Sequence, residues 1–200
     1  MRGQSRTRSL VLCGLSIALL SVGAFVTVPV PFGLMPFTLQ TLAFFIILLI
    51  LTPSEAVIAV VGYLVLGALG FPIFSGMMGG VGKLLGPTGG FLFGYVLAAL
   101  AVGGIRVFME RQKIMPQSLK YRLVFDVSII LAACLIFFGL GTVWYSFNMG
   151  VSMGAAAVAC VLPFVITEPL KIIAAVACAT PIRSALGLGV VSQHKNQSES

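Results

Sequence analysis

Apolar runs long enough to cross a bilayer set the terms for this chain: Ser9 to Val28, Leu92 to Val107 led by Gly90 and Phe91, and Leu123 to Val143. A membrane helix needs about 20 mostly apolar residues. Two shorter runs, Phe37 to Leu51 and Glu55 to Leu69, flank Thr52-Pro53-Ser54, a tight turn whose proline suits the first position of the next helix. The run from Val151 to Ala185 is interrupted by Pro163 and by Glu168 and Lys171. It divides into a short membrane-dipping segment over 151–162, a break, and a last helix from Glu168 to Ala185. The expectation is an all-α integral membrane protein of six transmembrane helices, one domain over residues 1–190, with a disordered polar tail at 191–200.

Of 200 residues, 59% are apolar and 8% charged, against roughly 25% charged in an average soluble domain. So few charges cannot solvate a soluble enzyme, and so much apolar surface excludes disorder. Nor does the net charge of +7 indicate nucleic acid, because the cations sit between apolar runs and no basic stripe is interleaved with aromatics. They set orientation instead. Arg2, Arg6 and Arg8 precede the first span, Arg106, Arg111, Lys113, Lys120 and Arg122 follow the fourth, and Arg183 and Lys195 follow the sixth. Six spans put these ten, with both termini, in the cytoplasm, whereas five or seven would strand Arg183 and Lys195. The basic, apolar start could be taken for a signal peptide, but the run is long and lacks a small-x-small site before Val28-Pro29-Val30-Pro31, which predicts a retained helix.

Catalysis finds no footing. The one histidine, His194, lies in the polar tail, and GxSxG, HExxH, paired aspartates and the phosphate-cradling GxxxxGK[ST] do not occur. Cys13, Cys134, Cys160 and Cys178 lie in apolar runs without metal or disulfide spacing, as small buried hydrophobes do. No metal or cofactor is expected.

Binding fits better. The external loops are almost free of charge, one rich in proline (28–37) and one rich in glycine (70–90) that carries Lys83. Irregular backbone at membrane depth survives only buried in protein or lining a cavity, and glycine lets a ligand approach the backbone. Glu168 and Lys171, spaced i, i+3, share a face at the start of the last helix, with Glu168 in the first turn and Pro169 fitting a helix start. They mark either a ligand path or a helix-capping ion pair. Thr38 and Gln40 open the second span as ligand contacts or as interhelical hydrogen bonds. Asp126 is expected to pair with Arg122 or a loop cation. Trp144 and Tyr145, ending span five, suit an interfacial anchor or a cavity wall. Gly14 and Ala18, a small-xxx-small pair on span one, suit a partner helix or packing inside the bundle. One carboxylate and two cations on the external half suit a small polar molecule bearing a carboxylate.

Four stretches, Pro36-Phe-Thr-Leu-Gln-Thr-Leu, Leu66-Gly-Ala-Leu-Gly-Phe-Pro-Ile-Phe-Ser-Gly, Gly79-Gly-Val-Gly-Lys-Leu-Leu-Gly-Pro-Thr-Gly-Gly-Phe-Leu and Leu162-Pro-Phe-Val-Ile-Thr-Glu-Pro-Leu-Lys, resemble the BioY proteins, the biotin-binding S components of energy-coupling factor (ECF) transporters. The resemblance runs from about residue 9 to 185. The last stretch is similar to the family's Pro-Phe-x-x-x-Asp-x-x-Lys, with Glu168 for the aspartate, one methylene longer, and Pro169 after it. Met77 and Met78 stand where many members have a basic or polar residue.

The resemblance implies an S-component-like bundle in a prokaryotic plasma membrane. It would capture biotin outside and deliver it inward with a coupling membrane subunit and ATPases supplied as separate chains. It further implies that Glu168 accepts from the ureido N–H groups and that Lys171 donates to the ureido carbonyl or holds Glu168 ionised. Lys83, or backbone N–H groups near Gly79, Gly80 and Thr88, would meet the tail carboxylate, with Phe37, Phe71, Phe91 and Trp144 as apolar walls. Gly14 and Ala18 would face the coupling subunit. The alternatives are a secondary transporter or solitary uptake protein for another small carboxylate-bearing vitamin, against which no inverted repeat is visible, and a scaffold in which Glu168 serves stability alone.

Overall fold

The polar groups of Thr52-Pro53-Ser54-Glu55 make the sharpest local structure in the chain. Thr52 Oγ1 accepts from the Glu55 amide, the Glu55 carboxylate accepts from the Thr52 amide, and Pro53 opens the helix. The same carboxylate accepts from Ser9 Oγ on the first helix, so one turn ties three helices together. A computed structural model describes residues 2–28, 37–116 and 118–185. The middle of the proline-rich loop, the tail at 191–200, His194 and Lys195 lie outside the described residues.

Among these residues are eight helices: α1 (Arg2–Phe25), α2 (Gln40–Ile50), α3 (Pro53–Ala68), α4 (Val81–Leu85), α5 (Gly89–Arg111), α6 (Leu119–Met149), α7 (Met153–Cys160) and α8 (Phe164–Ala185). Two short strands, β1 (Thr27–Val28) and β2 (Phe37–Thr38), pair antiparallel with Thr27 opposite Thr38 and close the proline-rich loop. Four helices are long and apolar enough to cross a membrane: α1 from Arg6, α5, α6 and α8. The two runs that are short in the sequence become α2 and α3, of 11 and 16 residues, below the roughly 20 of a full span. Nine of the eleven α2 residues are buried, so this helix is sheathed by protein on nearly all sides.

The core is aromatic where α2, α5 and α6 meet. Phe44 stacks on Tyr95 at 4.6 Å, and Phe137 meets both rings edge-on. Helices α5 and α6 approach closely because Gly141 offers no side chain: a Cβ there would enter the Phe91 ring.

The far end of α2 departs from expectation. Asp126 pairs with Arg183 of α8 through both carboxylate oxygens, and not with Arg122. Arg183 also donates to the Leu49 carbonyl, and Arg106 of α5 donates to the Leu48 and Leu51 carbonyls. A helix C-terminus leaves carbonyls without partners and carries partial negative charge. Two cations that mark the cytoplasmic side in the sequence are therefore also the cap of a buried helix. Sequence proximity favoured Arg122, but the α2 carbonyls draw Arg183 inward and Asp126 neutralises it there.

Removing one partner of such a pair costs about 3–5 kcal/mol. Asp126→Ala should lower the thermal unfolding midpoint in detergent markedly, and Asp126→Ala combined with Arg183→Met should regain most of the loss. A single variant melting like the parent chain would contradict the cap.

Candidate ligand-binding site

Helix α8 begins at Phe164, right after the Leu162-Pro163 break, a turn earlier than the sequence suggests. Glu168 is therefore in the second turn and gains nothing from a helix start, and Pro169 lies inside the helix, where it removes a single hydrogen bond. What holds Glu168 is side chains. Lys171 Nζ donates to Glu168 Oε1 (2.7 Å), to Thr41 Oγ1 (2.8 Å) and to the Thr38 carbonyl (2.8 Å), and Thr41 Oγ1 donates to Glu168 Oε1 (3.0 Å). The Phe37 ring lies 4.1 Å from the ammonium. An ammonium has three N–H donors, and all three are spent on protein. Glu168 Oε2 is the opposite case, buried and without a partner among the described residues.

Beside this cluster is a narrow cavity. Thr38, Gln40 and Thr41 line it from the start of α2, Phe74, Ser75 and Lys83 from the glycine-rich loop, and Thr88, Phe91, Leu92 and Tyr95 from the start of α5. Phe137 and Phe138 of α6 and Phe164 of α8 complete it. Gln40 is locked: its Nε2 donates to Tyr63 Oη (3.0 Å), whose own proton goes to the Ile73 carbonyl (2.9 Å). Since Tyr63 spends its only donor there, Gln40 must present its amide nitrogen to Tyr63. Thr88 Oγ1 is buried without a partner among the described residues. Lys83 is half-buried, and that burial lowers its pKa from the ordinary lysine value of 10.5.

Five of the residues singled out in the sequence thus share one cavity: Thr38, Gln40, Lys83, Thr88 and Phe91. Glu168, Lys171 and Phe37 form a layer directly behind Thr38 and Thr41. The others lie elsewhere. The Gly80 amide donates to the Gly67 carbonyl (2.6 Å), so it is not free for a ligand carboxylate. Gly79 rests on the Phe71 carbonyl, where any Cβ would overlap it, and Phe71 itself is 54% exposed. Trp144 is inside α6 and not at its end, and its Nε1 donates to the Gly86 carbonyl (2.9 Å) while Asn148 Nδ2 donates to that of Leu85 (2.8 Å). Both hold the end of α4, and with it Lys83, against α6. Gly14 and Ala18 face outward on α1, and a Cβ on Gly14 would meet nothing.

Sequence reasoning missed Thr41, Tyr63, Tyr95, Phe137, Phe138 and Phe164. A second polar residue beside Gln40 in an apolar run was a usable signal for Thr41. The aromatic residues gave none, since a cavity wall and a core position read alike.

These features define a multi-pass helical membrane protein built around a narrow cavity with a buried carboxylate behind one wall. The BioY family model matches residues 1–188, and the chain belongs to the BioY family, whose members are substrate-binding transport proteins and not enzymes. It is 34% identical over 165 residues to "Biotin transporter BioY2" of Lactococcus lactis subsp. cremoris, covering 82% of this chain and 84% of that one. It is 32% identical to "Probable biotin transporter BioY" of Pyrococcus horikoshii, covering 87% and 95%. The match to "Biotin transporter BioY" of Thermotoga maritima is 42% identical over 96 residues, which is 48% of this chain and 56% of that relative. Its fold is similar to the crystal structure of the S component for biotin from an ECF-type ABC transporter, with a TM-score of 0.81 at 22% identity, covering 92% of this chain and 95% of that chain.

Thr41→Val would leave one Lys171 donor unpaired and strip a donor from Glu168, at roughly 1–3 kcal/mol for an unsatisfied buried group. Thermal unfolding in detergent should show that loss, and Thr41→Ser should restore most of it.

Proposed function

We propose that this protein is the substrate-binding membrane subunit for biotin uptake. It captures biotin at the external face and passes it inward with a coupling membrane subunit and ATPases, separate chains that hydrolyse ATP for it. In this reading residues 1–190 form one unit of six spans in a prokaryotic plasma membrane, with both termini in the cytoplasm, in keeping with the clustering of basic residues. The outward small-residue pair Gly14 and Ala18 suits close approach by a helix of the coupling subunit.

The observation that carries the reading is the pairing of a buried carboxylate oxygen, Glu168 Oε2, that has no partner among the described residues with a saturated Lys171 that holds the carboxylate in place. Biotin supplies what such a group lacks. Its ureido ring has two N–H donors, and one reaching Glu168 Oε2 makes a charge-assisted bond. The Gln40 carbonyl end and Thr88 Oγ1 offer further polar contacts, and Phe91, Tyr95, Phe137 and Phe138 offer apolar walls for the thiolane ring. Lys83, at the loop side, suits the valerate carboxylate. Because Lys171 has no donor left, it acts through Glu168, so an analogue without ureido N–H groups would leave the carboxylate unpaired and bind poorly. The names of the relatives point to the same ligand.

Equilibrium binding of labelled biotin to the detergent-purified chain tests this. Saturable binding is expected, weakened about 10–100-fold by Glu168→Gln, the equivalent of one hydrogen bond to a charged group. Lys171→Ala should weaken it as well. Absence of binding by folded parent chain would overturn biotin as the ligand, and binding indifferent to both substitutions would move the site.

Lys83 carries a pH signature. A ligand carboxylate favours its protonated form, so affinity should fall as pH rises through the Lys83 pKa, which burial sets below 10.5. Lys83→Met should bind more weakly and lose that alkaline limb, and it should no longer prefer biotin to biotin amide.

A further inference from the structure

Helices α6 and α8 meet at the Asp126–Arg183 pair and at Phe138 and Phe164, but leave a gap along part of their length. Leu123, Val127 and Leu131 of α6 face Ile172, Val176 and Thr180 of α8 across a groove of about 520 Å3. Ile172, on its floor, is 7% exposed. The residues on each side recur at helical spacing, so the groove runs along both helices for about 12 Å, eight residues at 1.5 Å each. Within a bilayer such a trench is filled, because an empty one forfeits dispersion contacts along its whole lining.

Its lining is apolar throughout save the Thr180 hydroxyl, so what fills it is hydrocarbon. The surroundings of the groove indicate the rest of the occupant. At its Leu123 end stand Lys120 and Arg122, which make no side-chain hydrogen bond or ion pair with any described residue. The nearby carboxylate, Asp126, is already taken by Arg183. An apolar trench ending in two cations that form no salt bridge among the described residues complements an anionic amphiphile. We infer that the α6–α8 groove holds an acyl chain of an anionic phospholipid whose phosphate is met by Arg122 and Lys120.

The test is native mass spectrometry of the full chain in mixtures of phosphatidylglycerol and phosphatidylcholine with identical acyl chains. The parent chain should retain one lipid, favouring phosphatidylglycerol about tenfold. Arg122→Gln with Lys120→Gln should abolish the preference between headgroups. Ala177→Phe, which adds a ring to the groove wall, should cut retention of both lipids about tenfold without moving the unfolding midpoint. Equal retention of the two lipids by the parent chain would overturn the headgroup site. Parent-like retention by a folded Ala177→Phe variant would overturn the groove, as would a cross-link between two copies through Ala177→Cys with no lipid retained. Should Ala177→Phe fail to fold, the exposed double variant still decides whether the two cations select the headgroup.

Discussion

Everything in this structure hangs on how α2 is satisfied at its two ends. Hydrocarbon offers no partner for a backbone carbonyl or amide, so each must be met inside the protein. Helix α2 is short and almost wholly sheathed, and the protein meets its ends with side chains from α8. At one end Lys171 takes the Thr38 carbonyl just before the helix, together with the Thr41 hydroxyl. At the other, Arg183 takes the Leu49 carbonyl and is neutralised by Asp126 of α6. Two buried cations, twelve residues apart on α8, thus fix α2 in position and in rotation.

That rotation makes the site. With α2 held, Gln40 and Thr41 face the cavity together, and Gln40 is locked from behind by Tyr63. The aromatic side of the cavity is set separately, by the close contact of α5 and α6 that Gly141 permits. The loop side is set by Trp144 and Asn148, which anchor the end of α4 and so position Lys83. Three independent attachments converge on one small volume.

This explains which parts were legible in advance. The Thr52 turn is a local fact, written in a four-residue motif, and it emerged as read; of the six expected spans, four are helices long and apolar enough to cross a membrane, and α2 and α3 are shorter. The i, i+3 pair of Glu168 and Lys171 was equally local. The start of α8 was not, because Glu168 and Pro169 both resemble helix openers, yet Pro163 had already supplied the break and the helix runs on through Pro169. The partner of Asp126 could not be read from neighbours, since it lies on another helix and is chosen by carbonyls of a third. Gly79 and Gly80 suggested a backbone open to a ligand. Their close contacts turned out to be with the loop itself, where Gly80 needs a φ of 93° and its amide closes onto Gly67.

The buried pair itself asks why it is kept. Burying two charges is costly, and a well-packed apolar pair of the same size is often as stable or more so. Here the cation is fully satisfied and the anion only half so, with one carboxylate oxygen bonded twice and the other not at all among the described residues. A purely structural pair would be under no pressure to leave an acceptor bare at a cost of about 1–3 kcal/mol. The asymmetry makes sense if the missing bond is completed from outside the protein, so that a ligand donor restores what folding left unmade. In that view stability is withheld at Oε2 so that binding can recover it.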